Sequence, residues 1–315
     1  LGTILRFDII VHMRLLLVSV SLIGLYFFCE SQTKGFRLAE ILSDLPNRPE
    51  WETPAKPLEA LHQPFYYLGS GDQSDAFVSA DGATVLKFFK HGTPFKKRSL
   101  DLVFSSCKQA FDALREETAL LYIHLNKTKN VHGAVLLFDP LHIPHTVDLD
   151  ATEFVVQKKC TLAFSALRAQ LKRRDQEALK SSISALLRCI ASYQRKGFSI
   201  TTPAIRRDFG LLDGRAVAMD IGSFIQEESP TELRRVGLRL RRWLNKHSPD
   251  LVAFYDEEEA ALLPLFQKCE PGQGQSPNER DESHHLHKGL IGHCRLDDEL
   301  RHIQAKHPLH DHGPS

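Results

Sequence analysis

The chain has 315 residues, of which 42% are hydrophobic and 25% charged, with a formal net charge of +1. This is an ordinary globular composition with room for one large or two small domains, and the near-neutral charge argues against a nucleic-acid binder. The six cysteines (Cys29, Cys107, Cys160, Cys189, Cys269 and Cys294) form no CxxC pair, so neither a disulfide framework nor a cysteine zinc site is expected.

Residues 1–31 read as a leader. Met13 begins a segment with one arginine, Arg14, followed by an apolar run from Leu15 to Phe28. The run suits the h-region of a signal peptide, and Cys29 and Ser31 are small residues ahead of a cleavage after Ser31. An uncleaved signal anchor and a buried apolar helix are the alternatives, and Met13 is the expected true start. The leader implies export or membrane association, with a cytoplasmic location as the alternative. Residues 32–63 carry Pro46, Pro49, Pro54 and Pro57 and read as a linker with one short helix at Phe36–Leu45.

Residues 64–90 change character. Tyr66-Tyr67-Leu68 is a strand, Gly69-Ser70-Gly71-Asp72-Gln73 a glycine turn, and Ala76–Ser79 a return strand. Asp81-Gly82 makes the next tight turn before a third strand, Thr84–Phe89. Gly69 and Gly71 lack side chains, so their amides can approach a triphosphate closely. Phe77 is a candidate lid over the loop. Lys87, in an apolar strand, either faces solvent or is held inward to neutralise phosphates.

His91–Ser105 reads as a basic loop and Cys107–Asn126 as one amphipathic helix carrying Glu116 and Glu117. Strand, turn and strand follow at Val131–His142, then a strand at Glu153–Gln157. Leu162–Lys172 and Glu177–Lys196 are helices, the second closing at Gly197.

The segment Arg207–Phe224 organises the rest. Phe209–Leu212 and Arg215–Met219 flank Asp213-Gly214, the strongest two-residue hairpin signal. Asp208 opens the hairpin and Asp220 ends it, so one divalent cation could bridge them. Acids beside a phosphate-binding loop suit Mg²⁺, which takes one or two carboxylates and leaves the rest to phosphate and water.

Taken together, Tyr67–Lys87 and Asp208–Gly222 resemble the protein-kinase fold, and more closely its divergent bacterial relatives that keep only GxG in the glycine loop. The resemblance implies an α+β, two-lobed architecture. Residues 64–156 would be an N-lobe of five antiparallel strands and one helix, and residues 157–268 a short, mainly helical C-lobe. It implies ATP and Mg²⁺ as ligands, with Gly69, Ser70, Gly71 and Phe77 over the nucleotide. Lys87 would hold the α/β-phosphates, and Glu117 (or Glu116) would orient Lys87. Gln157 and Lys159 would border the adenine, and Asp208 and Asp220 would bind metal, Asp220-Ile221-Gly222 standing for D-F-G.

The catalytic loop departs from the family. The proton-accepting Asp of H-R-D-x-x-x-x-N falls at Pro203, and no acid lies between Gly197 and Arg207. Two functions are therefore in view: a kinase-like phosphotransferase acting on an unknown protein or small-molecule hydroxyl, and a pseudokinase serving as an interaction module. Export would separate the site from ATP unless the protein reaches a second, ATP-containing compartment such as a host cell.

Thr231–His247 is a basic amphipathic helix, read as a solvated face with a membrane-surface or acidic-partner role as the alternative. Asp250–Gln267 is a last helix. Residues 269–315 are read as a disordered His-rich tail, with His284, His287, His293 and Cys294 as a loose metal alternative.

Overall fold

The computed structural model describes residues 2–91 and 99–266. The His-rich tail lies outside the described residues. Helix α1 (Gly2–Thr33) opens the chain. Its stretch His12–Thr33, with a mean hydropathy of 1.7 and no burial, is long and apolar enough to cross a membrane.

Residues 34–63 are a packed strap rather than a linker. They hold a short helix, α2 (Leu38–Ile41), and single turns at Pro49–Trp51 and Glu59–Leu61. Phe36, Ile41, Trp51 and Leu61 are all buried in the core. The prolines keep the strap extended, while its apolar residues anchor it along the sheet.

Strands β1 (Phe65–Ser70), β2 (Ser74–Ser79) and β3 (Thr84–Phe89) form the expected meander. Ser99 then caps α3 (Leu100–Ala113), its hydroxyl accepting from Leu102 N. The expected loop thus ends at Ser99, residues 92–98 being outside the described set, and the helix begins seven residues earlier than its apolar pattern suggested. It also ends sooner. A one-turn helix, α4 (Arg115–Thr118), stops at Ala119, whose φ of 52° is left-handed, and Leu120–His124 is a strand, β4. Leu121 and Leu125 fitted a helical stripe, but pairing with a later strand outweighs that local preference.

Strands β5 (Ala134–Phe138), β6 (Pro144–Asp148) and β7 (Phe154–Lys158) complete a seven-stranded sheet of order β4-β7-β3-β2-β1-β5-β6. The sheet thus has seven strands rather than the expected five, because β4, read from the sequence as part of a helix, joins the antiparallel block β4-β7-β3-β2-β1. The β5–β6 hairpin, expected at Val131–His142 and found with its second strand later, joins the free edge of β1 through a parallel pair. The Asp139 carboxylate accepts from Leu141 N and Ile143 N, so Asp139–Ile143 is the turn and not the second strand of that hairpin.

The loop before β5 wraps around Asp150. Its carboxylate accepts from the amides of Val131, His132 and Gly133 and from the Thr128 hydroxyl. These bonds overcome burial and hold its pKa at about 2, against an ordinary 3.8. A folded-state pKa below the unfolded one gives stability that is present above pH 3.8 and lost as pH falls toward 2. Asp150→Asn should therefore cost about 1–2 kcal/mol at neutral pH, discounted for solvent screening, with the gap to wild type closing in acid. Urea titrations at two pH values check this; a gap of constant size would reject it.

The helical half begins with β8 (Thr161–Leu162), α5 (Ala163–Arg173), α6 (Gln176–Arg195), β9 (Phe198–Ile200) and α7 (Ile205–Asp208). The hairpin β10 (Phe209–Leu212) and β11 (Arg215–Ala218) forms in the expected register, with Asp213 and Gly214 both at positive φ. It pairs with β8, while β12 (Phe224–Gln226) pairs with β9. Helices α8 (Glu232–His247) and α9 (Val252–Leu262) pack on α6. Leu179, Ile183, Leu186, Leu187 and Ile190 of α6 are fully buried, so this helix is the axis of the lower core.

Candidate functional site

The hairpin places Asp208 and Asp220 beside one another. The Met219 amide donates to Asp208 O at 2.6 Å, closing the end of the hairpin. Asp208 also accepts from Ala204 N at 2.6 Å and is only 8% exposed. Burial raises its pKa to about 6, and the nearby Asp220 charge adds to the rise. Asp220 accepts from Gly222 N at 3.1 Å and so caps the turn Ile221–Ser223.

Lys87 on β3 points across to the same hairpin. Its Nζ donates to Met219 O at 2.7 Å, one residue before Asp220. Burial pulls its pKa below the ordinary 10.5, while Asp220, the Cys160 and Cys107 thiols and Asp208 all act to raise it. An ammonium and two carboxylates thus share one cleft between the sheet and the hairpin.

The glycine turn reaches the end of the hairpin through Gln73. Gly71 N donates to Ser74 O at 2.8 Å, and Ser70 takes a hydrogen bond from Lys90. Lys90 is itself paired at 3.3 Å with the fully buried Asp75 at the base of β2. Burial raises the Asp75 pKa. The loop residue Gln73 reaches the hairpin's end: a Cβ on Gly222 would come within 2.5 Å of Gln73 Oε1 and 3.1 Å of Val103 Cγ1. Glycine at position 222 is thus set by close approach of the loop and α3. Ser106 Oγ of α3 donates to Ile221 O at 2.7 Å, tying that helix to the same turn.

Several expected residues lie elsewhere. Glu117 is buried, pairs with Lys196 at 2.7 Å and accepts from Ser192 Oγ, both at the end of α6. It does not meet Lys87, because the helix expected to present it ends at Ala113. Glu116 offers only its carbonyl, to Arg215. Phe77 is no lid: it is fully buried, edge-on to Phe36, Tyr67 and Phe88 on the sheet face opposite Lys87. The Gln157 side chain turns inward and donates to Thr118 O at 2.9 Å, while the Lys159 amide donates to Ala83 O at 2.8 Å. The Lys159 side chain is exposed.

The loop before α7 supplies no acid. Thr201 and Thr202 are exposed, and Ala204 N is engaged by Asp208. Among the described residues no group of three or more His, Cys, Asp or Glu gathers as a metal cluster. A cavity of about 830 Å³ lies against the Asp150 loop, lined by residues 127–134 and by Asp148, Asp150 and Ala151, and contains none of Lys87, Asp208 or Asp220. The sequence carried no signal for Met219 O or Ser106 as parts of the site, nor for the approach of Gln73 to Gly222, since each acts through a contact between distant segments.

No family model matches the chain, and no curated protein does. Among solved structures, WbdD co-crystallised with the kinase inhibitor LY294002 is similar at 16% identity, over 67% of this chain and 48% of that one, with a TM-score of 0.36. WbdD described as a bifunctional kinase-methyltransferase is similar at 17% identity, over 64% of this chain and 45% of that one, with a TM-score of 0.32. The chain spans about half the length of these proteins. Likeness of this size assigns no activity.

Proposed function

We propose that this cleft is a kinase-like site for a magnesium-bound nucleoside triphosphate, in a chain where phosphoryl transfer is slow or absent. The observation that carries the reading is Lys87 Nζ lying 2.7 Å from Met219 O, at the doorstep of Asp220 and Asp208. A polyphosphate needs a cation of this kind, and a divalent metal needs the two carboxylates. The donor set fits: two oxygen ligands of opposite sign to Mg²⁺, the rest left to phosphate and water. Lys87 would hold phosphate oxygens, Asp220 and Asp208 the metal, and the amides of Gly69, Ser70 and Gly71 the phosphates from above. The contiguous antiparallel block β4-β7-β3-β2-β1 with α3 behind it supports the kinase-like reading of the upper lobe.

Two features weigh against efficient turnover. The loop from Gly197 to Arg207 offers no carboxylate to take the acceptor's proton. General-base help is worth roughly 10²- to 10⁴-fold, while positioning and metal charge carry most of phosphoryl transfer. Among the described residues, Lys87 also has no helical Glu partner. Both features favour the second reading, a pseudokinase whose bound nucleotide stabilises a protein-interaction module. The acceptor hydroxyl, if one is used, belongs to a protein or a small molecule. Helix α1 would tether the module to a membrane or direct its export, and delivery to an ATP-containing compartment would reconcile export with nucleotide binding.

The test is a thermal-shift titration of the full chain with Mg·ATP. Saturation to about a hundred times Kd should stabilise by roughly 2.7 kcal/mol, and Lys87→Ala and Asp220→Ala should each abolish the shift. No shift with or without metal would remove the nucleotide site. Labelled-ATP transfer in the same preparations separates slow turnover from none.

A further inference from the structure

A cationic rim lies immediately below the cleft and is left unused by the nucleotide reading. Helix α8 carries five arginines and a lysine. Its apolar side (Leu233, Val236, Leu240 and Leu244) is buried in the lower core. Arg235, Arg239 and Arg242 follow at four- and three-residue spacing and so share one face. Arg235 fixes the direction of that face: it pairs with Glu232 and donates to Ile200 O, on the strand that leads into α7. Arg206 and Arg207 of α7 are exposed, as are Arg239 and Arg242. None of these four forms an ion pair with a carboxylate among the described residues. Helices α7 and α8 pack against each other, and Arg207 and Arg239 are near enough to Asp208 to favour its charged form.

We propose that Arg206, Arg207, Arg239 and Arg242 form a docking surface for an acidic polypeptide segment. Three observations select that partner. The rim is built of arginine, whose planar fork takes carboxylates two-pronged. The same helix already shows the mode, since Arg241 grips Asp256 through Nε at 2.6 Å and Nη2 at 2.8 Å. A lipid surface fits less well, because a surface-lying helix needs a free apolar face. Here that face is consumed by the core, and Leu238 is the large apolar residue of α8 left exposed. The chain's near-neutral net charge likewise disfavours a nucleic acid. The surface stands whether or not the cleft takes a nucleotide, so it is measured without one.

The experiment is fluorescence anisotropy of the full chain in detergent with a labelled peptide of six consecutive glutamates. Binding should weaken at least tenfold between 0.05 and about 0.3 M salt, as expected for screened charge pairs. Arg239→Glu/Arg242→Glu should reduce affinity at least tenfold. Lys56→Glu/Lys129→Glu, the same charge change at exposed sites on the upper lobe, should leave it within about twofold. Equal losses in the two double variants would overturn the assignment as bulk charge. Absence of peptide binding, or capture of phosphatidylserine vesicles or single-stranded DNA with no peptide binding, would overturn it too. Circular dichroism of both variants guards against misfolding, and Arg239→Gln/Arg242→Gln, which keeps polarity and length, should give an intermediate loss.

Discussion

Replacing Trp51 by alanine should destabilise the chain by about 3–5 kcal/mol, the range for deleting a fully buried large aromatic. Trp51 is 2% exposed, edge-on to Phe104 at 4.9 Å, with the Arg48 guanidinium 4.4 Å from its ring centre. Phe104 in turn packs on Phe89 at the end of β3 at 4.7 Å. The strap therefore clamps α3 against the strand that carries Lys87. A linker residue would cost well under 1 kcal/mol, so urea unfolding at constant slope distinguishes the two sharply. Because Ser106 of α3 holds Ile221 O, the variant should also weaken any nucleotide-induced thermal shift without touching the cleft. A Trp51→Ala chain as stable as wild type would return residues 34–63 to the status of a tether.

Glu232→Ala should cost about as much, roughly 3–5 kcal/mol, through a different mechanism: it strands the partners of a buried charge. Glu232 is fully buried. It accepts from Ile200 N at 2.9 Å, the Tyr193 hydroxyl at 3.2 Å and Arg235 Nε at 3.0 Å. The carboxylate joins α6, α8 and the strand entering α7, and so sets the approach to Asp208. Burial, and then the adjacent Glu232 charge, push the Tyr193 pKa well above its ordinary 10. Glu232→Gln keeps an acceptor for Ile200 N and Tyr193 and should lose less than the alanine variant. Equal losses would mean that the ionic pairing with Arg235, and not the hydrogen-bonded hub, carries the stability.

The parts of the site that were legible beforehand are those written in short-range chemistry. Asp213-Gly214 demands positive φ at two successive positions, and only a tight hairpin meets that demand. Strands of four or five residues on either side then bring Asp208 and Asp220 to one end whatever the rest of the chain does. The glycine turn before β2 is local in the same sense.

Glu117 shows where such reasoning stops. Leu114, Leu121 and Leu125 keep helical spacing, yet Ala119 turns left-handed and Leu120–His124 joins β7. The backbone bonds and buried area gained in the sheet exceed the few tenths of a kcal/mol per residue at stake in helical preference. Glu117 is thereby carried to Lys196 and away from Lys87. The packing of the strap and the parallel pairing of the expected β5–β6 hairpin with β1 escaped for a related reason. Proline-rich composition resembles that of a linker until Phe36, Ile41, Trp51 and Leu61 find a surface, and the edge of β1 was free until a parallel partner occupied it.

Turns, caps, the apolar stripe of α6 and the two-acid hairpin follow from torsional preference and periodicity within a few residues, and the amino-acid order suffices for them. Which strand fills an edge, which cation meets which carboxylate and which face of α8 stays exposed depend on segments far apart in the chain. Those choices are made only when burial and pairing are satisfied together, because the energy that decides them belongs to the contact and not to either segment alone.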